Sequence, residues 1–161
     1  MKPLETDMTP ELRGRFEVMK QLASAGGLIY GTHWALTSVL RTLMEQTAYY
    51  AQGRETLPKV NQLRKLAGMY ALNLSENKNP VTWTMNSKHF PEKDTGKARA
   101  FDFCILKPNR EATWDLKWDN DKDDVVDYLE LAQYAKAAGL ESGAFWDKAD
   151  PPHVQLPKSI A

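Results

Sequence analysis

Three short fragments, far apart in the chain, hold residues that could share one metal ion: Ser87-Lys88-His89, Ala98-Arg99-Ala100-Phe101-Asp102 and Asp150-Pro151-Pro152-His153-Val154-Gln155. His89, Asp102 and His153 supply two imidazoles and a carboxylate. A hydrolytic zinc takes such a set when it keeps a fourth position for water, whose pKa then falls to about 7. Asp150 stands within one turn of chain of His153, stiffened by Pro151 and Pro152, where it can draw the proton off that water and pass it to a leaving amine. An anionic tetrahedral intermediate also calls for a positive charge that no working pH removes, and Arg41 is the candidate. Taken singly, such residues are more often structural. His33, with no partner motif, is read that way, and Asp102 or Asp150 alone could be a hydrogen-bonded or turn-capping carboxylate. The specificity lies in their combination and order.

The elements that must position these residues are well punctuated. A first helix starts at Thr9 with Pro10 in its first turn, buries Leu12, Phe16, Met19 and Leu22, and stops at Gly26-Gly27. After an apolar stretch around Leu28 to Tyr30, Thr42-Leu43-Met44-Glu45 has capping-box spacing for a helix running to Gly53, which sets Arg41 just before a helix start. A weaker helix is expected between Lys59 and Leu72, then a polar loop from Ser75 to Pro80 leading into Val81-Thr82-Trp83-Thr84. The strongest strand is Arg99 to Leu106, where Ala100, Asp102 and Cys104 share one face and Phe101, Phe103 and Ile105 the other. A last helix spans about Asp123 to Ala138, acidic at its N-terminal end and stopped by Gly139. Trp146 and the segment from Asp150 to Pro157 read as a loop and a short closing strand.

Length and composition narrow the possibilities further. A chain of 161 residues suits one domain, 1–161, with a core of its own. Lys plus Arg and Asp plus Glu both total 21, which gives no sign of a basic groove for nucleic acid or a polybasic membrane anchor. The tryptophans at 34, 83, 114, 118 and 146 are accordingly read as core and cleft wall rather than a stacking platform for bases, with Trp146 on the substrate side of the cleft. Cys104 stands alone, so no disulfide can form within the chain, and any zinc must use His and carboxylate. No secretory signal and no membrane-spanning stretch is read in the sequence.

Together these residues resemble the zinc D,D-peptidase and L-alanyl-D-glutamate peptidase group, which includes bacterial D-alanyl-D-alanine carboxypeptidases and many phage endolysins. Ser87-Lys88-His89 and Arg99-Ala100-Phe101-Asp102 look like the two ends of that family's Ser-x-His-x-x-Gly-x-Ala-x-Asp motif. The last fragment is similar to its Asp-x-Pro-His-x-Gln motif. Leu40-Arg41-Thr42, Glu45-Gln46 and Tyr50-Ala51-Gln52-Gly53-Arg54 look like its Arg-Thr-x-x-x-Gln-x-x-Leu-Tyr-x-x-Gly-Arg block. The resemblance implies a small α+β domain of the hedgehog/D,D-peptidase type, with helices flanking an antiparallel sheet that carries zinc. It implies His89, Asp102 and His153 as metal ligands, Asp150 as the catalytic acid and base, Ser87 behind the first His, and Arg41 and Gln46 toward substrate. The implied activity is hydrolysis of peptidoglycan stem peptides, at the L-alanyl-D-glutamate bond, by a monomeric phage endolysin without a separate wall-binding module. It would be held in the host cytoplasm until the membrane is breached. A D,D-carboxypeptidase or dipeptidase and a non-catalytic zinc-binding module are the alternatives.

His89 and Asp102 stand thirteen positions apart in the chain, more than the motif allows, and the excess falls in Phe90 to Lys97. That polar stretch is expected to bulge near the cleft. It contains Glu92 and Asp94, rival ligands on spacing, and Gly96 offers a competing register that would put Ala100 at the ligand position. A second acidic cluster, Asp119, Asp121 and Asp123, with Val126 and Glu130 following, has partial EF-hand spacing for a weak calcium site. Asp124 stands where that loop needs Gly, and acidic residues at a helix N-terminus account for the same letters.

Overall fold

The computed structural model describes residues 3–82, 84–120 and 122–158. Helix α1 (Pro10–Ala25) begins where Thr9 Oγ1 accepts the Leu12 N–H, with Pro10 in its first turn, and it buries Leu12, Phe16, Met19 and Ala23. Leu22, expected in that stripe, is only partly buried. Strand β1 (Trp34–Ser38) follows, and the sequence reading has no counterpart for it; the stretch before it forms turns. Helix α2 (Leu43–Ala51) has the expected capping box, with the Glu45 N–H donating to Thr42 Oγ1 and the Thr42 N–H to Glu45 Oε1. It stops at Gln52 because Gly53 takes φ +81°, where a Cβ would also meet the Pro80 ring at 2.7 Å. Thr42→Ala is expected to cost about 1 kcal/mol, read from the urea midpoint, since it removes this cap.

Three expectations shift. The helix read over Lys59 to Leu72 is α3 (Leu57–Leu66), because Pro58 favours a helix start and Gly68, at φ +74°, ends it. The polar loop from Ser75 holds a short helix, α4 (Leu74–Asn77), nucleated by a second capping box between Asn73 and Glu76. The last helix, α5 (Asp127–Ala137), begins four residues later than read, because Lys122 and Asp124 adopt φ of 55° and 68° and interrupt any earlier turn. Val81, Thr82 and Thr84 are not in a strand, and Trp83 lies outside the described residues.

The remaining strands are β2 (Ala100–Leu106), β3 (Ala112–Thr113), β4 (Glu141–Ser142) and β5 (His153–Gln155). They complete an antiparallel sheet in the order β1-β2-β5-β4, with β3 against the far end of β2. The expected α+β class with an antiparallel sheet is what the chain adopts. One sheet face is apolar: Trp34, Leu36, Phe101, Phe103, Ile105 and Val154 meet α1 and α5 in the main core. Phe16 is its hub, edge-on to Tyr30, Trp34 and Phe101 with centroids 4.9–5.9 Å apart. A smaller cluster of Ala51, Val60 and Leu72 lies under α2 and α3. The opposite sheet face carries Ser38, Asp102, His153, Gln155 and Glu141. Ser38 pairs with Asp102, Asp102 with His153, and Glu141 with Gln155. Between Leu36 and Ser38 the register shifts by one residue, Thr37. Among the described residues no helix is long and apolar enough to cross a membrane.

Candidate metal centre

Each of the three predicted ligands is delivered by a different local device. Asp102 and His153 are direct cross-strand partners on β2 and β5. His89 sits on a turn where Ser87 Oγ accepts the His89 backbone N–H at 3.1 Å, so Ser87 acts by shaping the backbone. The ring is oriented by the Val39 carbonyl, 2.7 Å from Nδ1, while the His89 carbonyl accepts the Arg41 N–H at 2.9 Å.

Ligand-capable atoms of His89, Asp102 and His153 all lie within 4.8 Å of one another, the sole such group of three among the described residues. His89 Nε2 is 3.3 Å from His153 Nδ1 and 3.4 Å from Asp102 Oδ2, and His153 Nδ1 is 3.1 Å from Asp102 Oδ1. A carbonyl can only accept, so His89 carries its proton on Nδ1 and turns the Nε2 lone pair inward. His153 Nε2 lies 2.9 Å from Gln155 Oε1, which likewise places a proton outside and a lone pair inside. With both imidazoles neutral, two lone pairs and a carboxylate converge with no donor among them, an arrangement that a cation satisfies; without a cation, a proton on an imidazole plays that part. The separations fit as well: tetrahedral bonds of about 2.0–2.1 Å set donors about 3.3 Å apart. Electrostatics agrees on the sign. Burial opposes ionisation of Asp102, yet the facing charge of His89, the His153 and His89 hydrogen bonds and Arg41 outweigh it and hold the carboxyl well below its usual range. Burial lowers the His153 pKa, but Asp102 more than offsets this and raises it.

The flanking residues fall into place around this centre. Arg41 Nη2 donates to Asp102 Oδ2 at 2.5 Å, its Nε to Ser38 Oγ and its Nη1 to Gln46 Oε1, and its guanidinium lies over the Tyr49 ring. Gln46, expected toward substrate, is fully buried; its amide donates to Thr82 Oγ1 and the Thr84 carbonyl, so it stands behind Arg41. Trp146 is 37% exposed with its ring 5.1 Å from that of His153, at the rim of the centre. Asp150 is carried by the turn ahead of β5, where its carbonyl accepts the His153 N–H and its own N–H donates to the Gly143 carbonyl at 2.8 Å. Burial and the nearby Asp102 charge raise the Asp150 pKa, against the pull of His153, Arg41 and His89.

Other candidates are placed elsewhere. Residues 90–97 fold back on the N-terminal segment: the Glu92 N–H donates to the Lys97 carbonyl, and Lys97 Nζ reaches the Thr6 carbonyl. Asp94 is exposed, and neither it nor Glu92 joins the cluster. Asp119 and Asp123 accept backbone N–H bonds from Asp124 and Val125 as turn caps, and Asp121 lies outside the described residues. His33 Nδ1 accepts the Ile29 N–H in a turn. Trp34 is core and Trp118 packs on it, but Trp114, read as packing, is 55% exposed. Sequence reasoning missed Val39, Ser38 and Tyr49. Gln155 ends the Asp150-to-Gln155 fragment, and strand periodicity alone puts it on the His153 face.

Three side chains able to hold a metal, with a half-buried carboxyl beside them on an α+β scaffold, are the kind of arrangement metal-dependent hydrolases use. The chain is similar to the peptidoglycan L-alanyl-D-glutamate endopeptidase CwlK of Bacillus subtilis (strain 168), 23% identical over 155 residues that cover 96% of this chain and 76% of the relative. No family model matches the chain. The similarity to CwlK supports the resemblance to the zinc D,D-peptidase and L-alanyl-D-glutamate peptidase group.

Proposed function

We propose that this protein is a zinc metallopeptidase that hydrolyses peptidoglycan stem peptides at the L-alanyl-D-glutamate bond. We further propose that it acts as a monomeric, single-domain phage endolysin, held in the host cytoplasm until the membrane is breached. The observation behind the peptidase reading is the inward convergence of His89 Nε2, His153 Nδ1 and the Asp102 carboxylate beside Asp150. The similarity to CwlK over 96% of this chain supports that choice of substrate, since the relative's name states that bond.

When bound by His89, Asp102 and His153, zinc supplies a Lewis acid and a water acidified to a pKa of about 7. Asp150 accepts the proton of the attacking water and returns it to the leaving D-glutamyl amine; its raised pKa suits a group that must both take and give. Arg41 offsets the Asp102 charge and has further N–H groups with which to steady the oxyanion or a substrate carboxylate. Trp146 walls the entry beside His153.

Gly143 is what lets Asp150 come this close, since a Cβ there would collide with the Asp150 carbonyl. Gly143→Ala is expected to keep the metal content and lower kcat by roughly 10- to 100-fold, the scale of a sub-ångström to ångström displacement of a reacting group. Equal kcat in the two proteins would show that the Asp150 position is not critical.

The test of the reading is mass spectrometry of purified peptidoglycan after digestion, with and without a chelator. Chelator-sensitive release of peptides that begin at D-glutamate is expected. Release of D-alanine alone would reassign the protein as a carboxypeptidase, and no cleavage would make it a binding module.

A further inference from the structure

Behind His153 stands a second contact, from Gln155 to Glu141. Gln155 Oε1 can take the His153 Nε2 proton only while the other end of the amide, the NH2, points away. What holds that end is Glu141: Gln155 Nε2 donates to Glu141 Oε2 at 2.6 Å, across a directly paired position of β4 and β5. A carboxylate only accepts, so it fixes the amide in one of its two flips. We propose that Glu141 is a positioning residue for the metal centre, orienting Gln155 so that His153 keeps its proton on Nε2 and presents Nδ1 to the ion. This rests on the metal-centre reading above.

The chain of contacts has a direction, and reversing its first member should reverse its effect. A donor at position 141 would draw Gln155 Oε1 toward itself and turn the NH2 toward His153. The imidazole would then keep its lone pair on Nε2 and its proton on Nδ1, blocking the inward nitrogen. An acceptor-only side chain at position 155 removes that choice, because it can take protons from both sides.

The experiment measures Zn(II) affinity by competition with a chromophoric chelator, and the d–d spectrum of the Co(II)-loaded protein, for the full chain and three variants. Glu141→Lys is expected to weaken Zn(II) binding about tenfold or more and to alter the Co(II) spectrum. The double variant Glu141→Lys/Gln155→Glu is expected to recover the parent affinity to within about threefold, since a carboxylate at position 155 accepts both from an ammonium at position 141 and from His153. That rescue would not follow if Glu141 merely stabilised the sheet edge. Glu141→Gln, which leaves the amide free to flip, is expected to weaken binding a few-fold, and it carries the test should the lysine variant not fold. Parent-like Zn(II) affinity in the single variants, or a double variant no better than Glu141→Lys, overturns the proposal. If these appear while the parent binds zinc and cleaves peptidoglycan, only the role of Glu141 is lost; a parent chain that binds no zinc overturns the metal-centre reading as well.

Discussion

Asp150→Asn is expected to bind zinc as the parent chain does and to lose about 10²- to 10⁴-fold in kcat, the span usual for removal of a general acid-base. The substitution keeps the shape of the side chain, and the Asp150 backbone bonds to Gly143 and His153 are untouched, so the loss reports proton transfer. The raised Asp150 pKa has a cause that the variant also tests: burial and the adjacent Asp102 charge make the carboxyl reluctant to ionise, and an uncharged amide meets neither penalty. The variant should therefore be at least as stable as the parent in urea. A kcat within tenfold of the parent would remove Asp150 from the mechanism.

His153→Ala is expected to abolish both metal binding and hydrolysis. It deletes one of the three candidate ligands and leaves Asp102 without its cross-strand partner. A ligand bound only by the folded chain adds about 4 kcal/mol of stability at a thousand times its Kd, which for a chain of this size is a rise in Tm of roughly 10 °C. Chelation should thus lower the Tm of the zinc-loaded parent and leave that of His153→Ala unchanged. Differential scanning calorimetry with and without chelator reads this directly, and a chelator-sensitive Tm in the variant would place the ion elsewhere.

The sequence made some of this legible and left the rest dark for identifiable reasons. Helix α1 could be read because Thr9-Pro10 is a local start signal and its buried stripe recurs at helical spacing. Strand β1 could not: it is five residues long, and Thr37 breaks the alternation that would have announced it. The carboxylates of the 119–127 loop have the same letters whether they cap turns or begin a helix, so the start of α5 was misplaced.

At the centre, the side-chain types and their order brought together His89, Asp102, His153, Arg41 and Asp150. Their partners were another matter. That Val39 would orient His89 had no signal at all, because the contact is a backbone carbonyl. Arg41 could be placed before α2 by its capping box, yet its attachment to Asp102, sixty-one residues away, exists only once β1 and β2 pair. The motif points Gln46 toward substrate, yet Thr82, Thr84 and Arg41 enclose it.

The extra residue in β1 also decides which changes of chain length the centre can absorb. Before it, Trp34 and Leu36 face the core opposite Ile105 and Phe103; after it, Ser38 faces the metal side opposite Asp102. Removing Thr37 would leave a regular ladder with all of these on their present faces, because the lost residue has no partner of its own. Removing Ala35 instead would carry Leu36 to the metal side and put Thr37 in the core. Thr37 is thus the point in β1 where a deletion preserves both the packing and the seat of Arg41.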